Sequence, residues 1–104
     1  MTLINSQELK KLISDKPDFV IIDIRTEMET KKGRIPNAKW MDASDKEFMS
    51  KIKNLDKNKT YCLYCASGDR SEMAVSFMEM NGFTNIYDLK GGISSWLAEG
   101  NKLE

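Results

Sequence analysis

The residues best suited to chemistry in this chain lie between positions 62 and 71, in the run Cys62-Leu63-Tyr64-Cys65-Ala66-Ser67-Gly68-Asp69-Arg70-Ser71. Cys65 follows an apolar stretch and precedes a helical pattern, so its sulfur is expected near unpaired backbone N–H groups and the positive end of a helix dipole. Arg70 adds a permanent positive charge nearby. Both effects favour thiolate over thiol, so Cys65 can be a nucleophile without an assisting base. Gly68 lets the loop curl until successive amides converge on one point, a cradle for an oxyanion or a sulfur-bound anion. Asp69 opposes both effects unless it faces solvent or pairs with Arg70.

No other route to covalent catalysis is as well supplied. The chain has no histidine, which excludes Ser-His-Asp and Cys-His mechanisms within it. Two cysteines and scattered carboxylates do not form a zinc or calcium ligand set by spacing, so neither a metal nor another cofactor is expected. Cys62 and Cys65 spell C-x-x-C, but three residues of extended strand cover ~10 Å, against the ~4.4–6.8 Å between disulfide-bonded Cα atoms. Cys62 therefore reads as core, and Cys65 as the exposed, activated thiol.

The 104 residues suffice for one domain spanning 1–104. Sixteen basic and sixteen acidic side chains balance, and residues 1–52 hold ten basic and nine acidic, so neither half is polarised. A basic footprint for nucleic acid is absent. The longest apolar run, Phe19-Val20-Ile21-Ile22, is far too short to span a bilayer, and Met1-Thr2-Leu3-Ile4-Asn5 lacks the marks of a signal peptide. No membrane partner and a cytoplasmic location are the simplest expectations.

The elements that must hold the loop alternate between helix and strand. Asn5-Ser6-Gln7-Glu8 reads as a capping box before Leu9, Leu12 and Ile13, and Pro17 ends that helix. Residues 19–24 form a continuous apolar run suited to a parallel strand covered on both faces. Glu27 to Lys32 is a helical turn stopped by Gly33, and residues 35–38 an extended connection. Ser44-Asp45-Lys46-Glu47 is a second capping box, leading a helix with Phe48, Met49, Ile52 and Leu55 as its stripe. Residues 60–64 form the next strand, 71–80 a helix burying Met73, Ala74, Phe77 and Met78, and Gly82 its stop. Residues 85–89 make a short strand, Gly91-Gly92 a turn, and 93–98 a last helix. The seven methionines read as core filler. The fold class is α/β, a three-layer domain with a central, mainly parallel sheet flanked by helices.

The ordered set Cys65-x-x-Gly68-x-Arg70-Ser71, Ala74, Gly82-Phe83, Leu89, Gly91-Gly92-Ile93 and Trp96 resembles the second half of a rhodanese-like domain. Asp23-Ile24-Arg25, Glu29, Gly33, Ile35-Pro36 and Ala38 are similar to its first half. The resemblance spans nearly the whole chain, with Arg34 in place of the family's usual histidine, Asn37 in place of a glycine and Thr30 in place of an aromatic. It implies a sulfurtransferase, with Cys65 accepting a sulfane sulfur as a persulfide and passing it to a thiophilic acceptor. The amides of Ala66, Ser67, Gly68, Asp69, Arg70 and Ser71 would hold substrate and persulfide. Thiosulfate, a dianion, suits a helix N-terminus, converging amides and Arg70. Cyanide, a thiol or a protein would take the sulfur.

Two other functions compete. A binding or carrier module would relay sulfur to a protein partner without turnover. A phosphatase or arsenate reductase of related fold would need a longer loop than the four residues between Cys65 and Arg70. Asp23 and Arg25, two apart on one strand face, would either join Arg34 and residues 66–70 at the rim of a shallow pocket or form a salt bridge bracing the loops.

Overall fold

The computed structural model describes residues 2–104. Strands β1 (Thr2–Ile4), β2 (Val20–Asp23), β3 (Lys39–Trp40), β4 (Tyr61–Tyr64) and β5 (Ile86–Leu89) form one sheet in the order β1-β5-β4-β2-β3. Every pairing is parallel. Helices α1 (Ser6–Asp15), α2 (Glu27–Thr30), α3 (Phe48–Lys53), α4 (Asp69–Met80) and α5 (Gly92–Ala98) alternate with the strands. Apolar side chains lie on both faces of the central strands because parallel crossovers cover both faces with helices.

The two faces are distinct. Ile22, Leu63 and Cys65 pack with Phe48 and Ile52 of α3 and Ala74, Val75 and Met78 of α4. Ile21, Cys62 and Tyr64 pack with Leu9 of α1 and Ile93 and Trp96 of α5. β4 lies centrally, between β2 and β5, with all four residues buried. Whatever follows Tyr64 therefore starts from the best-supported strand of the sheet.

The α1 capping box forms as expected: Asn5 Oδ1 accepts from the Glu8 amide at 2.8 Å, and Glu8 Oε1 accepts from the Asn5 amide at 3.0 Å. The second expected box, Ser44-Asp45-Lys46-Glu47, does not form. Asp42 Oδ1 takes both the Ser44 amide and hydroxyl, Asp45 Oδ1 takes the Glu47 amide, and α3 starts only at Phe48 without a side-chain cap. Short carboxylates two residues before an amide offer the backbone a turn instead of a helix start.

Two short edge strands, β1 and β3, escaped the sequence reading because each is too brief to show a period. The methionine expectation is also corrected. Met41 and Met78 are buried, whereas Met28, Met49, Met73 and Met80 are exposed. On α4 the buried stripe is Ser71, Ala74, Val75 and Met78, which turns Met73 out to water. The stripe rotates because a polar residue, Ser71, occupies a core position beside Cys65.

Candidate active site

Cys65 is the first residue after β4, and Gly68, with φ +114°, caps α4. That backbone conformation suits glycine, and it turns the Gly68 N–H onto Cys65 Sγ at 3.1 Å. The Ser71 hydroxyl lies 3.6 Å from the same sulfur and donates to the Gly68 carbonyl at 3.1 Å. It accepts from the thiol, and a hydroxyl at this position is equally able to donate to a thiolate.

The Cys65 thiol titrates below its ordinary value. Burial pushes it up, but the Ser71 hydroxyl and the amides of Ser71, Gly68 and Ser67 together push it down further. Cys65 is 1% exposed, which corrects the expectation of an exposed thiol: the sulfur lies beneath its loop. Cys62 is also buried, on the other sheet face, and its thiol is pushed well up by burial and by the Asp88 charge. Both cysteines are free thiols.

The loop is fixed from behind by α5. The Ile93 amide donates to the Cys65 carbonyl at 3.0 Å and the Ser94 amide to the Ala66 carbonyl at 3.1 Å. Gly92 permits this approach, because a methyl group there would overlap both carbonyl oxygens. The site role of Gly92, Ile93 and Ser94 was missed in the sequence, where Gly91-Gly92 read only as a turn. A glycine pair opening a helix was the available signal.

Arg70 does not stand free over the loop. Its guanidinium binds both oxygens of Glu29, each at 2.8 Å. Glu29 is held in turn by the α2 capping box, where Oε1 accepts the Thr26 amide and hydroxyl at 3.0 and 3.1 Å. The hydrogen bonds from Arg70 are the main cause that lowers the Glu29 carboxyl to about 2. The Cys65 sulfur acts on Arg70 more weakly than Glu29 does. Asp69 is exposed in the first turn of α4, so its charge faces water.

Asp23 and Arg25 form the brace rather than the rim. Arg25 Nη2 meets Asp23 Oδ2 at 2.7 Å and the Gly33 carbonyl at 2.7 Å, and the Tyr64 hydroxyl donates to Asp23 Oδ2 at 2.8 Å. Arg25 is only 4% exposed and Asp23 is fully buried. Tyr64 places this network on the α1–α5 side, away from the face where Cys65 packs. Arg34 pairs by backbone with Glu104, at 3.2 and 2.8 Å. Arg25 thus belongs to the brace, and its Nη1 reaches the Glu29 carbonyl at 3.4 Å, behind the carboxylate that holds Arg70. Among the described residues no group of three or more His, Cys, Asp or Glu side chains is placed to hold a metal ion. No helix there is long and apolar enough to cross a membrane.

Several known proteins are similar to this chain. A sulfurtransferase from Allochromatium vinosum is 30% identical over 97 residues, covering 93% of this chain and 89% of that protein. A tRNA uridine(34) hydroxylase from Cytophaga hutchinsonii is 38% identical over 86 residues, covering 80% of this chain but 28% of that protein. The chain spans about a third or less of the hydroxylases it matches, such as 34% of that from Pelagibacter ubique. Among solved structures, a rhodanese-related protein from Thermoplasma volcanium superposes with a TM-score of 0.87 at 35% identity, covering 100% of this chain and 98% of that one. The polysulfide-sulfur transferase homodimer of Wolinella succinogenes gives 0.82 at 29% identity, covering 100% of this chain and 78% of that one. With the Rhodanese-like domain matched over residues 5–99, this chain belongs to the rhodanese-like domain family.

Proposed function

We propose that this protein is a sulfurtransferase that moves a sulfane sulfur through a persulfide on Cys65. The observation that carries the reading is the donor set on Sγ: the Gly68 amide at 3.1 Å, with the Ser71 hydroxyl and the loop amides lowering the thiol pKa. Those donors stabilise a thiolate where no histidine is available as base. They serve equally well for the negative charge of a persulfide.

Thiosulfate or a related small sulfur anion is the donor. The Cys65 thiolate attacks its outer sulfur, the S–S bond breaks, sulfite leaves with the electron pair, and Cys65 carries the persulfide. Cyanide, a thiol or a protein thiol then attacks the outer sulfur and restores the thiolate. Arg70 serves a dianion only in competition with Glu29, so the loop amides carry most of the recognition.

Intact mass after thiosulfate treatment tests the reading, followed by cyanide and assay of thiocyanate. One added sulfur and thiocyanate are expected, abolished by Cys65→Ser and kept by Cys62→Ser. Thiocyanate production at the wild-type rate by Cys65→Ser overturns it.

A further inference from the structure

Beside the Cys65 loop, a groove of about 310 Å³ opens between α3 and α4. Ile24, Phe48, Met49, Met73, Ala74 and Phe77 supply most of its lining. Met49 and Met73 are 59% and 77% exposed, a large apolar surface left in water next to a nucleophile. Ile24, Phe48 and Ala74 also belong to the buried cluster that surrounds Cys65, so the groove is the outer end of the apolar region holding the sulfur.

Its charge is as telling as its shape. Arg70 and Asp42 are the ionisable groups in the lining, and Glu29 neutralises Arg70. The adjoining surface shares Met49, Met73 and Phe77 but adds Asp69 and Glu72. The balance around the mouth is negative, which disfavours an anionic occupant. The volume is at the lower end of the roughly 300–1,000 Å³ of small-molecule pockets, which suits a small organic occupant.

We propose that this groove is the acceptor site for the second half-reaction and takes a neutral organic thiol by an apolar alkyl or aryl group. The inference rests on Cys65 as the persulfide carrier. The bound thiol passes its proton to the terminal sulfur of the anionic Cys65 persulfide and attacks that sulfur as thiolate. A new S–S bond forms, the old one breaks, Cys65 leaves as thiolate, and the proton stays on the transferred sulfur as R–S–SH. No external oxidant or reductant is needed.

Protein loaded with thiosulfate and then freed of it is mixed with 2-phenylethanethiol, 2-mercaptoethanol or 2-mercaptoethanesulfonate at equal thiolate concentration. Loss of the added sulfur is followed by mass. The phenyl thiol is expected to react about tenfold faster than mercaptoethanol and to saturate, with the sulfonate slowest. The double substitution Met49→Ser, Met73→Ser should shrink the first ratio to within about threefold. Equal rates for the three thiols, or a ratio unchanged in the double variant, overturns the proposal. If thiosulfate loads no sulfur, the functional reading fails and the groove is tested alone. There, 2-phenylethanol must shift the Met49 and Met73 methyl resonances, and no shift overturns the site.

Discussion

Cys62 and Cys65 stand three residues apart on one run of chain, and water reaches neither: they are 0% and 1% exposed. Yet their thiols move in opposite directions, up for Cys62 and down for Cys65. Burial costs both of them the charged form, so exposure does not separate a reactive cysteine from an inert one here. The difference is the supply of donors. Cys62 lies within a strand whose N–H groups are spent on the sheet, and its sulfur faces the Leu63 carbonyl at 3.7 Å, which can only accept. Cys65 lies one residue past the strand end, where the amides of a turning loop are still unspent.

The contrast breaks most visibly under alkylation. Iodoacetamide should modify Cys65 in the folded protein at least about a hundredfold faster than Cys62, as peptide mapping will show. Comparable rates would mean that the donors do not matter. Gly92→Ala should make Cys65 behave more like Cys62. Displacing the Cys65 and Ala66 carbonyls disorders the loop, and sulfur loading should fall roughly tenfold to a hundredfold, with the alkylation midpoint moving to higher pH. An unchanged midpoint would show that the α5 anchor is dispensable.

A smaller effect is expected at Glu29. Glu29→Gln frees the Arg70 charge, so thiosulfate should load at a KM lower by about threefold to tenfold, with little change for an uncharged persulfide donor. The wild-type pair also has a pH signature. The folded Glu29 carboxyl lies at about 2, below its ordinary 4.5, so its stabilisation is present above 4.5 and is lost as pH falls from there toward 2. Thermal melts of wild type and Glu29→Gln should converge in that window. The smallest effect, of opposite sign, belongs to Asp88. Burial raises its carboxyl, and its Oδ1 has no hydrogen-bond partner among the described residues. Its folded-state pKa lies above the unfolded one, so its contribution is fully present below the unfolded value and is lost as pH rises. Asp88→Asn should therefore raise the melting temperature slightly at neutral pH and not at low pH.

The sequence carried the architecture because its signals were local: the Asn5–Glu8 box, the apolar run of β2, the glycine stop after α4. It also carried Cys65 and Gly68, since a strand end, a glycine and a helix start are adjacent in the chain. What it hid was partnership at long range. Nothing near Arg70 shows that Glu29, 41 residues earlier, claims its charge. Nothing near Arg25 shows that the Tyr64 ring and the Gly33 carbonyl hold it beneath the surface. The misplaced stripe of α4 has a related origin: hydrophobicity alone would not bury Ser71, but the sulfur beside it does.

The two bonds from α5 to the loop have a consequence in peptide polarity. In a trans peptide the C=O and N–H point opposite ways. Fastening the Ala66 carbonyl to Ser94 therefore commits the Ser67 N–H to the opposite side, toward the sulfur whose ionisation it favours. A helix with no charged residue between Gly92 and Ala98 thus decides the sign of the field inside the loop. That sign is the same for a thiolate and for the persulfide that would replace it, so the backbone can stay still through the whole proposed cycle.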